Sequence, residues 1–184
     1  MNTWKTTLRD LKQFFILWSS QSFSSLGSKM TNFALIIWSY SQYGSALQTA
    51  LIAVCSYAPY VIMSIFAGAL SDRWNKKITM LVCDTFAALC TVTVLVLLQT
   101  GRLELWHIYL LNGLNGLMNT VQQPSADVTI SLLTPKKYYQ RTSGLRSFSN
   151  SLNGVLTPVL ATALLSFLGM KAVIFFDLLT FAVA

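Results

Sequence analysis

The 184 residues are 54% hydrophobic and only 10% charged, with a formal net charge of +7, where an ordinary soluble domain carries about 25% charged residues. A chain of that balance, with mean hydropathy +0.55, cannot cover a globular core with polar surface, so it reads as an all-α integral membrane protein whose first partner is the lipid bilayer. The bases fall between apolar runs and form no single patch, which argues against nucleic acid as a partner and for membrane topology as their explanation.

The apolar runs, taken in order, mark six helices at about 14–40, 48–70, 78–99, 105–133, 147–168 and 172–184, after a polar N-terminus over 1–13. Each reaches or approaches the roughly 20 residues that cross a bilayer as helix, and none alternates as a barrel strand would. The first run is too long for a signal-peptide core. It is also the least expected in composition, with Ser19, Ser20, Gln21, Ser22, Ser24, Ser25, Ser28, Thr31 and Asn32 around Lys29. A helix facing only lipid would not carry so many hydroxyls and amides. Lys29 either faces a cavity or snorkels outward along its own stem.

Between the second and third runs lies a tight turn, Gly68-Ala69-Leu70-Ser71-Asp72-Arg73-Trp74-Asn75-Lys76-Lys77. With Lys5, Arg9, Lys12, Lys136, Lys137, Arg141 and Arg146, its bases put ten positive residues on one side of the membrane, against Arg102 and Lys171 on the other. The positive-inside rule then makes the N-terminus, the 68–77 turn and the end of the segment cytoplasmic, with the protein in the plasma or inner membrane. Asp72 and Arg73 read either as solvated turn charges or as parts of a gate.

In the third run Asp84 lies near the cytoplasmic end, as does Asp127 in the fourth, and both suit salt bridges to Arg141 or Arg146. Asn112, Asn115, Asn119, Gln122 and Gln123 recur every three or four residues, so they share one face of the fourth helix. His107 suits interfacial packing beside Trp106 and Tyr109. Asp177 sits at a depth where it could pair with Lys29. The last run ends at Ala184 while still apolar, which suggests a longer chain.

The single histidine cannot build a zinc site, and Cys55, Cys83 and Cys90 sit inside apolar runs without CxxC spacing. They read as small buried hydrophobes. No metal or cofactor is expected, and the lack of HExxH, GxSxG and CxxC argues against an enzyme.

The turn carries a resemblance. Gly68, Leu70, Ser71, Asp72, Arg73 and Lys77 match the signature between helices 2 and 3 of the major facilitator superfamily, with Lys76 in place of an Arg and Asn75 in place of a Gly. Asn tolerates the left-handed backbone that such a turn could require. Within that family the chain most resembles the macrolide-efflux and enterobactin-exporter branch, on Gln21, Gly44-Ser45-Ala46, Ala58-Pro59-Tyr60, Pro124-Ser125-Ala126, Leu132-Leu133-Thr134-Pro135 and Asp177.

The resemblance implies the N-terminal six-helix half of a transporter, a 3+3 inverted repeat that works by alternating access and needs a C-terminal six-helix half. Substrates would be hydrophobic or amphipathic small molecules. The turn would cap a helix of the opposite half through Asp72, with Gly68 admitting close approach. Helices 1 and 4 would line the central cavity, which makes Gln21, Lys29, Asn32, Asn112, Asn115, Asn119, Gln122, Gln123 and Asp177 the candidates for substrate or coupling contacts. Proton antiport is implied by the branch alone, because helix 4 lacks the family's Arg. The helix 5 antiporter motif survives only as Asn153, Thr157 and Pro158. The competing reading is a truncated or non-transporting membrane scaffold.

Overall fold

The computed structural model describes residues 11–183, and within them the backbone but not the side chains of residues 66–73. Six α-helices are described: α1 (Lys12–Tyr43), α2 (Ala46–Arg73), α3 (Lys76–Gln99), α4 (Leu105–Leu133), α5 (Tyr139–Leu168) and α6 (Met170–Val183). A single 3-10 turn, Lys136–Tyr138, precedes α5, and no strand occurs among the described residues. Hydropathy alone places the start of the fifth helix at 147, because its first turns, Tyr139-Gln140-Arg141-Thr142, are polar.

Short connections with recognisable caps turn the chain from helix to helix. Gly44 ends α1 in the left-handed region at φ 64°, a conformation that costs glycine nothing. Ser45 then starts α2, its Oγ accepting the Gln48 N–H at 3.3 Å. Asn75 starts α3 in the same way, its Oδ1 accepting the Lys77 N–H at 3.1 Å. Its φ is −69°, so Asn stands in that turn as a helix cap and not for a left-handed backbone. Before α4, the Glu104 N–H donates to His107 Nδ1 at 3.3 Å. The His107 ring stacks on Trp106 at 3.7 Å, so the lone histidine packs and caps.

The packing is reciprocal. α1 lies against α5 and α6, α4 lies against α2 and α3, and α3 meets α6. The core behind it joins Met30, Ala34, Ile52, Val94, Ile108, Ala161, Val173 and Ile174. Small residues set the closest approaches: a Cβ on Gly116 of α4 would collide with the Ser56 carbonyl of α2, and one on Gly27 of α1 with Thr180 of α6. Such contacts are how helices associate where lipid removes the hydrophobic drive between them.

Three of the described helical segments are long and apolar enough to cross a membrane by length and composition: Ala46–Ile65, Lys76–Gln99 and Lys136–Leu168. The six expected spans are thus not all legible as apolar segments. α1 and α4 fall short because amides and hydroxyls interrupt their apolar residues, and α6 has only 14 described residues. Large apolar side chains nevertheless cover the outside of the bundle, among them Ile65, Leu81, Leu89 and Val159, more than a water-facing surface carries.

Candidate functional site: a polar cavity inside an apolar bundle

All six helices contribute to one cavity of about 610 Å³, within the range that takes a drug-sized molecule. Its walls carry amides and charged side chains, whereas the outside of the bundle is mainly apolar. From α1 come Gln21, Lys29 and Asn32, and from α4 come Asn112, Asn115, Asn119, Gln122 and Gln123. The three- and four-residue spacing along α4 puts its amides on one side of that helix, and that side lines the cavity.

Three carboxylates line it, each held differently. Asp84 of α3 accepts Gln21 Nε2 at 3.2 Å and Gln122 Nε2 at 2.5 Å, so two carboxamides tie α1 and α4 to one acid. This differs from the salt bridge expected for Asp84: no base reaches it among the described residues. Asp127 of α4 does form an ion pair, with Arg146 of α5. Arg141 lies exposed outside the cavity. Asp177 of α6 is buried, its two oxygens accepting Ser28 Oγ and Thr91 Oγ1 at 3.1 Å each. The conjectured Lys29–Asp177 pair is not formed. Lys29 is exposed to the cavity and has no ion-pair partner among the described residues.

The helix 5 residues divide. Asn153 lines the cavity and its Nδ2 donates to the Ser22 carbonyl at 3.3 Å, beside a Ser149–Ser22 hydroxyl contact at 2.9 Å. Together they hold α5 to α1. Thr157 is buried behind the cavity wall and Pro158 lies inside α5; neither lines the cavity. The side chains of Gly68, Leu70, Ser71, Asp72 and Arg73 lie outside the described residues. Of the rest of the turn, Lys76 and Lys77 belong to the first turn of α3.

Sequence reasoning missed the role of Asp84 and the face around it. Asp84, Ala87, Ala88 and Thr91 all line the cavity, at the i, i+3, i+4, i+7 spacing of one helix face. A small-residue stripe carrying one acid was the available signal. It also missed Ser56, Tyr57 and Tyr60 of α2; the two tyrosines, with the ring of Trp18 on α1, give the cavity aromatic surface. The arrangement can bind an amphipathic molecule. No group of three or more His, Cys, Asp or Glu side chains among the described residues could hold a metal ion.

Known proteins resemble the chain in sequence. The chain is 22% identical over 183 residues to macrolide efflux protein A of Streptococcus pyogenes, covering 100% of this chain and 44% of that protein. It is 21% identical over 174 residues to the MFS-type transporter YfiS of Bacillus subtilis (strain 168), covering 94% of this chain and 40% of that one. A macrolide efflux protein A of Enterococcus faecalis is 21% identical over 141 residues, covering 77% and 43%. The chain therefore spans less than half the length of these relatives. No solved structure matches it. The family description for the Major Facilitator Superfamily matches residues 17–184, and the chain belongs to that family.

Proposed function

We propose that the chain is the N-terminal six-helix half of a secondary transporter, an inverted repeat of three plus three membrane-spanning helices. Its substrates are hydrophobic or amphipathic small molecules, exported from the cell. The observation that carries this reading is the cavity of about 610 Å³, polar along α1 and α4, inside a bundle whose outside is apolar. Water-filled space of that kind is what makes amides and a lysine tolerable at membrane depth. Substrate would sit there, between this half and a second one, while the two rock against each other. The names of the relatives from Streptococcus and Enterococcus support efflux.

In this reading the N-terminus and the 68–77 turn face the cytoplasm at the plasma or inner membrane, and Asp72 with Gly68 closes that side against a helix of the second half. Protons are the proposed coupling ion. The alternative is a membrane scaffold that does not transport.

The test is an efflux assay with the complete coding sequence in cells stripped of their own exporters, with and without a protonophore. Lower accumulation of hydrophobic compounds, restored by the protonophore, is expected. Equal accumulation with and without the protein across a broad panel contradicts export.

A further inference from the structure

We infer that Asp84 is the counter-charge for a cationic group on the transported compound, which makes lipophilic organic cations the substrate class of the cavity; this rests on the transporter reading above. Of the three cavity carboxylates, one has a counter-charge and a second is shut away from the open space. Asp127 is paired with Arg146. Asp177 is 4% exposed, and hydroxyls of Ser28 and Thr91 cover its oxygens. Asp84 is different on both counts. It is half-buried at the cavity wall, and both its oxygens are held only by the neutral amides of Gln21 and Gln122.

Carboxamides orient a carboxylate and stabilise it, but they do not cancel its charge. In a cleft walled by low-dielectric helices the remaining field is concentrated into the open space, where an entering cation would supply the missing compensation. Trp18, Tyr57 and Tyr60 line the same cavity. Their ring faces suit both a cation and the apolar body that carries it.

The cavity's own bases do not answer Asp84. Arg146 is engaged by Asp127. Lys29 stands on α1 beyond Gln21, about 12 Å further along the axis at 1.5 Å per residue. From there it repels positive charge and biases the cationic end of a compound towards Asp84.

The experiment uses a matched pair of ions, tetraphenylphosphonium and tetraphenylborate, alike in size and shape and opposite in charge. Binding of each is measured by equilibrium dialysis to the purified product of the complete coding sequence. Uptake of the phosphonium is followed in everted vesicles. The expected result is that phosphonium binds more tightly than borate and that Asp84→Asn weakens its binding about ten-fold or more. Asp84→Glu, which keeps the charge, should restore most of it. Lys29→Ala should leave phosphonium binding equal or tighter.

Unchanged phosphonium affinity in an Asp84→Asn protein that stays monodisperse overturns the inference, as does equal binding of the two ions. Efflux of an uncharged compound without phosphonium binding also overturns it while leaving the transporter reading intact. Asp84-dependent phosphonium binding without uptake upholds the cation site and contradicts transport.

Discussion

Gln122 Nε2 on α4 lies 2.5 Å from Asp84 Oδ1 on α3, and the other oxygen of that carboxylate receives Gln21 Nε2 of α1 at 3.2 Å. One acid thus fixes the spacing of the two helices that form the polar walls of the cavity. Replacing Gln122 by Leu leaves Asp84 with one donor. A hydrogen bond to a charged group is worth about 1.5–3 kcal/mol in water-soluble proteins, and less where the unfolded chain in a bilayer finds other partners. Thermal unfolding in detergent should show a lower midpoint for Gln122→Leu than for Asn119→Leu, since Asn119 lines the same wall without that bond. Equal midpoints would contradict the bridge.

Glycine positions separate contact from empty space. A Cβ on Gly116 would overlap the Ser56 carbonyl oxygen, whereas one on Gly154 meets nothing within 4 Å. The first obstacle is backbone, which cannot swing aside as a side-chain tip can, and overpacking costs about 1–3 kcal/mol or more. Gly116→Val should therefore shift the protein from a monodisperse to an aggregated peak in size-exclusion chromatography. Gly154→Ala should run as the parent does. A monodisperse Gly116→Val protein with parental stability would show that α2 and α4 are further apart.

Asn75 gives a milder test. Its Oδ1 accepts the Lys77 N–H, and loss of such a cap costs about 1 kcal/mol for Ala but only a few tenths for Gly. The order of thermal midpoints should be Asn75, then Gly, then Ala. A left-handed role would instead put Gly at or above Asn, and the φ of −69° predicts that it will not.

Much of the fold was legible in the sequence, for physical reasons that differ from helix to helix. α3 is a mainly apolar run between Asn75 and Gly101, broken by Asp84, so its nature and approximate ends could be read. α1 and α4 had the opposite signature: their amides and hydroxyls lowered hydropathy, yet the spacing of Asn112, Asn115, Asn119 and Gln122 disclosed a face. All of these side chains do line one cavity. The Asp127–Arg146 pair was among the expected ones and forms, but the partners of the other two acids could not be read. Asp84 and Asp177 were both assigned to bases, and the structure gives them amides and hydroxyls. A carboxylate's partner is set by how helices pack across distances of 38 to 149 residues in the chain, and no local pattern encodes that.

The gate assigned to the 68–77 turn makes a separable prediction. Asp72→Asn keeps the size of the side chain and the bases that set topology, but it removes the charge that would meet a helix N-terminus, an interaction of about 0.3–1 kcal/mol when exposed and more when partly buried. Membrane insertion, followed by reporter fusions, should be unchanged while efflux falls several-fold. Parental efflux from Asp72→Asn would remove the turn from the gating machinery.

The central claim is that the polar face of α4 borders water inside the membrane while the outer face of α3 borders lipid. Single cysteines at Asn115, in the cavity wall, and at Leu89, 59% exposed on the outside of the bundle, test it directly in a background where Cys55, Cys83 and Cys90 are Ala. A thiol reacts as its thiolate, which forms only in contact with water. The account predicts rapid labelling of Asn115→Cys by a small water-soluble methanethiosulfonate and little or none of Leu89→Cys. Equal labelling at the two positions, or faster labelling at 89, would contradict it.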